Sequence, residues 1–213
     1  MSKEKIDWED FKTLQKGICY RLINCEKNQK RLELMPHVKV LDLAVIFYHK
    51  ESKGYEAGAM RYISNNDLEK WNVGVEEIYE MAKENTIRLL PSTFKTIEQV
   101  LGDIAKEAQL TIPDEKGPNK NMYVLSNEEQ HLGASVILYP DILEKIYTQL
   151  KADFFVLPAS VHESIIMLNN GKVTETHLQE LVSKMNEHFV EEGEILSNSV
   201  YRYDAKTKIL QQT

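Results

Sequence analysis

The sequence predicts an α+β fold in which a mixed, mainly antiparallel sheet is flanked by helices. Runs rich in β-branched and aromatic residues, such as VKVLDLAVIFYH (38–49), occur between amphipathic helical patterns. These elements do not follow the regular strand–helix alternation of a parallel sheet. The chain has 213 residues and is 42% hydrophobic, which is enough to build an ordinary core without metals or disulfides.

The first half of the chain predicts a helix, two strands and a helical segment. Apolar residues recur at steps of three and four from Trp8 onward, which predicts an amphipathic helix that ends near Leu34. The run 38–49 predicts a long central strand in which Asp42 is either a structural carboxylate or a ligand-binding acid. The remaining predicted elements are a turn at 51–54, an antiparallel strand at 55–63 and a helical segment at about 64–109.

The second half predicts a repeated order of strand, strand and helix. The stretch PDEKGPNKN (113–121) has the strongest loop composition, so we interpret it as a candidate hinge within a single domain spanning 1–213. The predicted elements are strands at 122–126, 133–139, 154–157 and 161–168, helices that start at Pro140 and at Thr174, and a terminal hairpin with strands at 200–203 and 208–211.

Charge and composition argue against several classes of function. The formal net charge is −7, whereas duplex-binding proteins need clustered Lys and Arg, so we expect no nucleic-acid partner. No apolar run approaches the roughly 18 residues of a membrane span, and the N-terminal sequence has no apolar core of a secretory signal. Two cysteines, Cys19 and Cys25, are too few for a zinc site and suit the cytoplasm. We therefore expect a cytoplasmic protein without a metal or another cofactor.

The stretch FFVLPASVHESIIM (154–167) contains most of the candidate site residues. If 161–168 is a strand, His162 shares a face with Ser160 and not with Glu163, so a His–Glu dyad is not expected. A nucleophilic Ser–His pair needs a third orienting group, and neither a G-x-S-x-G nor an HExxH motif is present here. We interpret His162 as structural or ligand-contacting, and we predict no catalytic residue. The alternative is a small hydrolase or small-ligand-binding protein, with a pocket whose candidate residues are Ser160, His162, Glu163, Asn127 and Tyr139.

The segment SNSVYRYD (197–204) contains the candidate interface residues. Strand alternation places the rings of Tyr201 and Tyr203 on one face and Arg202 on the other. An aromatic pair on an edge strand is typical of a core or an interface.

Five segments of the chain carry a family resemblance. They are INCEKNQKRLELMPHVKVLDLAVIFYH, NDLEKWNVGVEEIYEMAKENTIRLLP, MYVLSNEEQHLGASVILYPDILEKI, DFFVLPASVHESIIM and LSNSVYRYD. From about Trp8 to Leu210 the chain resembles an uncharacterised family of Gram-positive gut bacteria, known only as a domain of unknown function. The middle segments also resemble a second uncharacterised bacterial family with N-T, Y-V-L-x-N, G-A-x-x-L-Y-P and L-P-S-S-x-H-E pieces, and Ala159 departs from the last of these.

The resemblance implies no activity, so it assigns no catalytic residue to this chain. Longer members of the family carry a further N-terminal region, and we expect this chain to be a stand-alone C-terminal half. A surface that the longer proteins cover would then be open for a partner or for a second copy. We therefore predict a non-catalytic protein-interaction module that binds a protein partner or forms a homodimer. One form would be an inhibitor that docks on a basic surface, in mobile-element or host-defence biology.

Overall fold

The structure, a computed structural model, describes residues 8, 10–50, 60–107 and 121–213. Helices and antiparallel strands are mixed along the chain, which confirms the α+β prediction. The chain divides into two compact units, unit 1 (Met1–Pro91) and unit 2 (Ser92–Thr213), each with its own sheet. A single domain with a hinge at 113–121 stays a prediction, because that range lies outside the described residues except for Asn121.

Unit 1 contains a four-stranded antiparallel sheet with the strand order β1-β3-β2, and β4 also pairs with β3. Its elements are α1 (Phe11–Leu14), a 3₁₀ turn (Gln15–Gly17), β1 (Ile18–Asn24), α2 (Gln29–Leu32), β2 (His37–Val40), β3 (Leu43–His49), β4 (Arg61–Tyr62), α3 (Asn65–Trp71) and α4 (Val75–Leu89).

The predicted N-terminal helix is wrong, because Ile18–Asn24 is a strand. The apolar residues of this strand are buried on both faces of the sheet. A short run that is apolar on both faces lacks the alternation of a half-buried strand, so its sequence pattern cannot distinguish a strand from a helix. The predicted strand at 38–49 is two strands, β2 and β3, with Asp42 in the turn between them. The predicted turn at 51–54 and most of the strand at 55–63 lie outside the described residues.

Side chains of α4 bind the backbone along the outer edge of β1. The Tyr20 N–H donates to Thr86 Oγ1 at 3.0 Å. Asn85 Nδ2 donates to the carbonyl of Gln15 at 2.7 Å and to that of Ile18 at 3.0 Å. Asn85 and Thr86 are both buried. The adjacent residues Asn85 and Thr86 therefore cover the outer edge of β1, which would otherwise need another hydrogen-bonding partner.

Unit 2 contains a six-stranded antiparallel sheet with the order β10-β9-β7-β8-β6-β5. Its elements are β5 (Ser92–Thr96), α5 (Ile97–Glu107), β6 (Met122–Asn127), a 3₁₀ helix (Gly133–Leu138), α6 (Ile142–Leu150), β7 (Phe154–Leu157), β8 (Ser164–Leu168), α7 (Glu175–Phe189), a 3₁₀ turn (Glu192–Glu194), β9 (Tyr201–Asp204) and β10 (Ile209–Gln212). Leu178 and Val182 of α7 pack in one core cluster with Phe155, Leu157 and Val200.

Three further predicted elements need correction. The segment at 133–139 is a 3₁₀ helix at Gly133–Leu138 rather than a strand, and the helical segment at 64–109 is interrupted by β5. The strand predicted at 161–168 begins only at Ser164. The terminal hairpin is confirmed by the pairing of β9 with β10.

Within the described ranges, no helix is both long enough and apolar enough to cross a membrane.

Candidate functional site

The connection between β7 and β8 brings Ser160 and Glu163 together. Ser160 Oγ donates to Glu163 Oε1 at 2.9 Å and accepts the backbone N–H of His162 at 3.0 Å. The Ser160 N–H also donates to the carbonyl of Glu163 at 3.3 Å. Because these residues precede β8, strand alternation does not apply to them, and the prediction that Ser160 and Glu163 lie on opposite faces is wrong.

The imidazole of His162 is bonded on both sides. Its Nδ1 accepts the backbone N–H of Leu132 at 3.2 Å, so the neutral ring carries its proton on Nε2. That Nε2–H donates to Glu194 Oε1 at 3.1 Å. The ring of His131 lies beside it, with 5.1 Å between the two centroids. Residues about 30 positions before and after His162 are therefore held by one side chain.

The loop that follows β6 completes the arrangement. Asn127 is fully buried, and its Nδ2 donates to the carbonyl of His131 at 2.8 Å. Ser126 Oγ donates to the carbonyl of His162 at 2.8 Å. Gly133 passes so close that a Cβ there would lie 2.6 Å from the His162 carbonyl oxygen and 2.7 Å from the Asn127 nitrogen. Only glycine leaves room for this contact.

The turn at Glu192–Glu194 also contacts the connection between β7 and β8. The Val161 N–H donates to the carbonyl of Glu194 at 2.9 Å, next to the contact between the side chains of Glu194 and His162. We refer to Asn127, Ser160, His162, Glu163 and Glu194 as the His162 cluster.

The His162 cluster is arranged to hold loops together. In a nucleophilic Ser–His pair, a ring nitrogen accepts the hydroxyl proton, but Ser160 Oγ donates to Glu163 and both ring nitrogens of His162 bind other groups. Ser160, Asn127 and Tyr139 are buried, and His162 and Glu163 are half-buried. Tyr139 follows the 3₁₀ helix that begins at Gly133, and its N–H donates to the carbonyl of Val136 at 2.9 Å. Of the five predicted pocket residues, the structure thus joins Ser160, His162 and Glu163 directly and connects Asn127 through its loop.

Replacing His162 by Leu is expected to lower the free energy of unfolding by about 1–3 kcal/mol, because the Leu132 N–H and the Glu194 carboxylate lose their partner. Urea denaturation followed by circular dichroism measures this loss. His177→Leu, at an exposed position of α7, is the matched control and is expected to stay within about 0.5 kcal/mol of the parent protein. Equal stability of the His162 variant and the parent would rule out the role in holding the loops.

The structure places two of the three predicted interface residues in the core. Tyr201 is 0% and Tyr203 4% exposed, whereas Arg202 is exposed. β9 is not an edge strand, because β10 pairs with its outer side. The ring of Tyr203 stacks on Phe154 with 5.6 Å between centroids.

An exposed apolar row on α7 was missed by the sequence analysis. The sequence places Leu178, Leu181, Val182, Met185 and Phe189 on one apolar face of this helix. In the structure Leu178 and Val182 are buried, whereas Leu181, Met185 and Phe189 are 40%, 47% and 77% exposed, each four residues from the next. We refer to these three residues as the α7 stripe. The five residues span about 100° around the helix, which is the width of an ordinary core-facing stripe, so no local signal separates the exposed residues from the buried ones.

The candidate acid Asp42 lies in unit 1, as do the polar residues His37 and Arg88. Asp42 is in the β2–β3 turn, and its carbonyl accepts the Cys25 N–H at 3.1 Å. His37 Nδ1 lies 3.0 Å from the carbonyl of Met35. Arg88 donates to the carbonyl of Lys16 at 2.7 Å and to Asn85 Oδ1 at 2.9 Å.

No group of three or more His, Cys, Asp or Glu among the described residues is arranged to hold a metal ion.

Comparison with known proteins gives a family but no function. No curated protein matches the chain, and no solved structure matches it. The model of DUF5688, a family of unknown function, matches residues 2–205, and the chain belongs to that family.

Proposed function

We propose that this chain is a non-catalytic protein-interaction module that docks, through the α7 stripe, into an apolar groove with a basic rim on a partner protein. The observation that carries the proposal is the row of large, exposed apolar side chains on one helix. Single exposed apolar residues are common on soluble proteins, whereas contiguous rows are typical of interaction surfaces.

The spacing of the α7 stripe suits a helix that binds in a groove. Residues four apart form a ridge along a helix, and such ridges fill the grooves between side chains of a partner. Anchors at i, i+4 and i+8 are the pattern by which amphipathic helices bind hydrophobic grooves. Phe189, the most exposed of the three and the only aromatic one, is the candidate anchor because aromatic residues dominate binding energy at interfaces.

The overall charge of the chain indicates the chemistry of the partner. Exposed carboxylates follow the α7 stripe at Glu191 and Glu192, whereas at 100° per residue Glu180 and Glu187 lie on the other side of α7. The whole chain is acidic, with a net charge of −7. Complementary potentials accelerate association and suppress wrong partners, so a groove rimmed by Lys and Arg is the surface that fits. An inhibitor that covers such a surface is one form of this module.

The cytoplasm is the compartment that we propose for this interaction. Both cysteines are thiols in the structure, with Cys19 buried and Cys25 half-buried. Two cysteines that form no disulfide suit a reducing compartment.

The test is affinity purification from the native host with two matched double variants as baits. Met185→Ser/Phe189→Ser removes the two most exposed residues of the α7 stripe, and Leu101→Ser/Ile104→Ser removes two exposed apolar residues of α5. We expect one stoichiometric partner that the stripe variant loses by at least about tenfold and the α5 variant retains. Its binding should also weaken as salt rises, because the rim contacts are between charges.

Two results would contradict the proposal. One is a partner that the stripe variant retains, and the other is the absence of any stoichiometric partner. Light scattering distinguishes the homodimer, because a dimer that becomes a monomer in the stripe variant would assign the stripe to a second copy of this chain.

A further inference from the structure

Two arginines of unit 1 contact the same tyrosine. Arg21 Nη1 donates to Tyr62 Oη at 2.8 Å, and the Arg31 guanidinium carbon lies 4.3 Å from the centroid of the Tyr62 ring. Neither guanidinium has a carboxylate partner among the described residues, whereas Arg61, next to Tyr62 in β4, is paired with Asp67 at 2.7 Å. Two positive charges that share one ring repel each other unless an anion lies between them.

The register of the sheet places one further cation, Lys39, and the imidazole of His37 on the same face. Arg21 of β1 and His37 of β2 both lie opposite Ile46 of β3, on its two sides, so all three share one face. Lys39 lies two residues beyond His37 on that face and is exposed.

The same register shows that this face is locally cationic in a chain of net charge −7. The described strand residues of the face include no Asp or Glu; they are Cys19, Arg21, Ile23, His37, Lys39, Ala44, Ile46, Tyr48 and Tyr62.

The position of Tyr62 is fixed by the core beneath it. Its ring packs against a buried cluster made by Ile23, Leu32, Met35, Ala44 and Ile46. The phenol oxygen accepts a hydrogen bond from Arg21, and its own O–H has no acceptor among the described residues. Arg31 is exposed and its guanidinium carbon lies over the ring, and none of its guanidinium N–H groups donates a hydrogen bond to another described residue.

We propose that Arg21, Arg31 and Tyr62 form a binding site for the phosphoryl group of a small molecule. Guanidinium forks bind phosphate oxygens with two parallel hydrogen bonds, and the Tyr62 O–H supplies one more donor next to Arg21. A phosphate dianion has three free oxygens and can accept from both arginines at once, whereas a carboxylate has two. The site lies in unit 1 and does not depend on the α7 stripe, so it is tested separately from the proposed function.

Calorimetric titration with inorganic phosphate and with phenyl phosphate tests the site. We expect saturable binding in the millimolar range, as for a single exposed anion site. Arg31→Gln and Arg21→Gln should each weaken it by about tenfold or more, and Tyr62→Phe by less. Arg202→Gln, an exposed arginine of unit 2, is the matched control and should leave the affinity unchanged.

The possible outcomes distinguish the two sources of the ligand from each other and from failure of the proposal. Tighter binding of inorganic phosphate assigns the site to the free anion, and tighter binding of phenyl phosphate assigns it to a phosphorylated small molecule. Because Arg31 is exposed, Arg31→Gln keeps the test valid even if Arg21→Gln does not fold. No saturable binding of either probe, or equal affinity in the parent and the Arg31 variant, would overturn the proposal.

Discussion

The substitution Gly133→Ala is expected to lower the free energy of unfolding of unit 2 by about 3 kcal/mol or more. The new Cβ would overlap Ser126 Oγ and approach two backbone atoms, the His162 oxygen at 2.6 Å and the Asn127 nitrogen at 2.7 Å. Overpacking of this kind costs about 1–3 kcal/mol where the neighbours can shift. Here the backbone at Asn127 belongs to β6, and the His162 carbonyl also accepts the Ser126 hydroxyl, so neither atom moves easily.

Gly102→Ala is the matched control for this measurement. Gly102 lies within α5 of the same unit, and a Cβ at that position would have no atom within 4 Å. Alanine in a helix interior is favoured over glycine by about 1 kcal/mol, so this variant should be as stable as the parent or slightly more so. Hydrogen exchange at the amides of Ala134 and Val161 reports the loss at Gly133 directly. A Gly133 variant within about 0.5 kcal/mol of the parent would show that the close approach is not a constraint.

The double variant Asn85→Leu/Thr86→Val is expected to lower the free energy of unfolding of unit 1 by about 3–5 kcal/mol. It removes the groups that bind the Tyr20 N–H and the carbonyls of Gln15 and Ile18. Each buried backbone group that loses its partner costs about 1–3 kcal/mol. The replacements are similar in size to the original side chains, so the loss reports hydrogen bonding more than packing.

Tryptophan fluorescence during urea denaturation measures this change, because both tryptophans of the chain, Trp8 and Trp71, are in unit 1. Thr86→Ser keeps the hydroxyl that accepts the Tyr20 N–H and is expected to cost less than about 1.5 kcal/mol. If Thr86→Ser is as unstable as Thr86→Val, the hydrogen bond to the Tyr20 N–H does not explain the effect, because serine keeps the hydroxyl that makes it.

The sequence predicts the fold class because most strands and helices have a strong local signal. The helix cap at Thr174 is an example, since its side chain accepts the His177 N–H as expected for a helix start. β1 was missed because Ile18–Asn24 is buried on both faces, and its apolar residues also fit a helical spacing. In such cases the tertiary partners decide, here β3 on one side and α4 on the other.

The His162 cluster could be predicted only in part. Ser160, His162 and Glu163 are adjacent in sequence, so their proximity follows from the chain itself. The hydrogen bonds of the His162 ring depend on Leu132 and Glu194, each about 30 residues away, and no local pattern indicates such partners. Likewise, the apolar face of α7 is visible in the sequence, but its exposure depends on how much of the helix the sheet covers.

The contact between α4 and β1 has a consequence for how this fold can vary. Asn85 and Thr86 bind main-chain atoms, which every residue type except proline provides. These hydrogen bonds between helix and strand do not depend on the residue types in β1, although the Tyr20 side chain also contacts the Tyr79 ring of α4. A one-residue insertion early in α4, by contrast, would turn both anchoring side chains by about 100° away from the strand. Unit 1 is thus built to accept changes of residue type in β1 and to resist changes of length in α4.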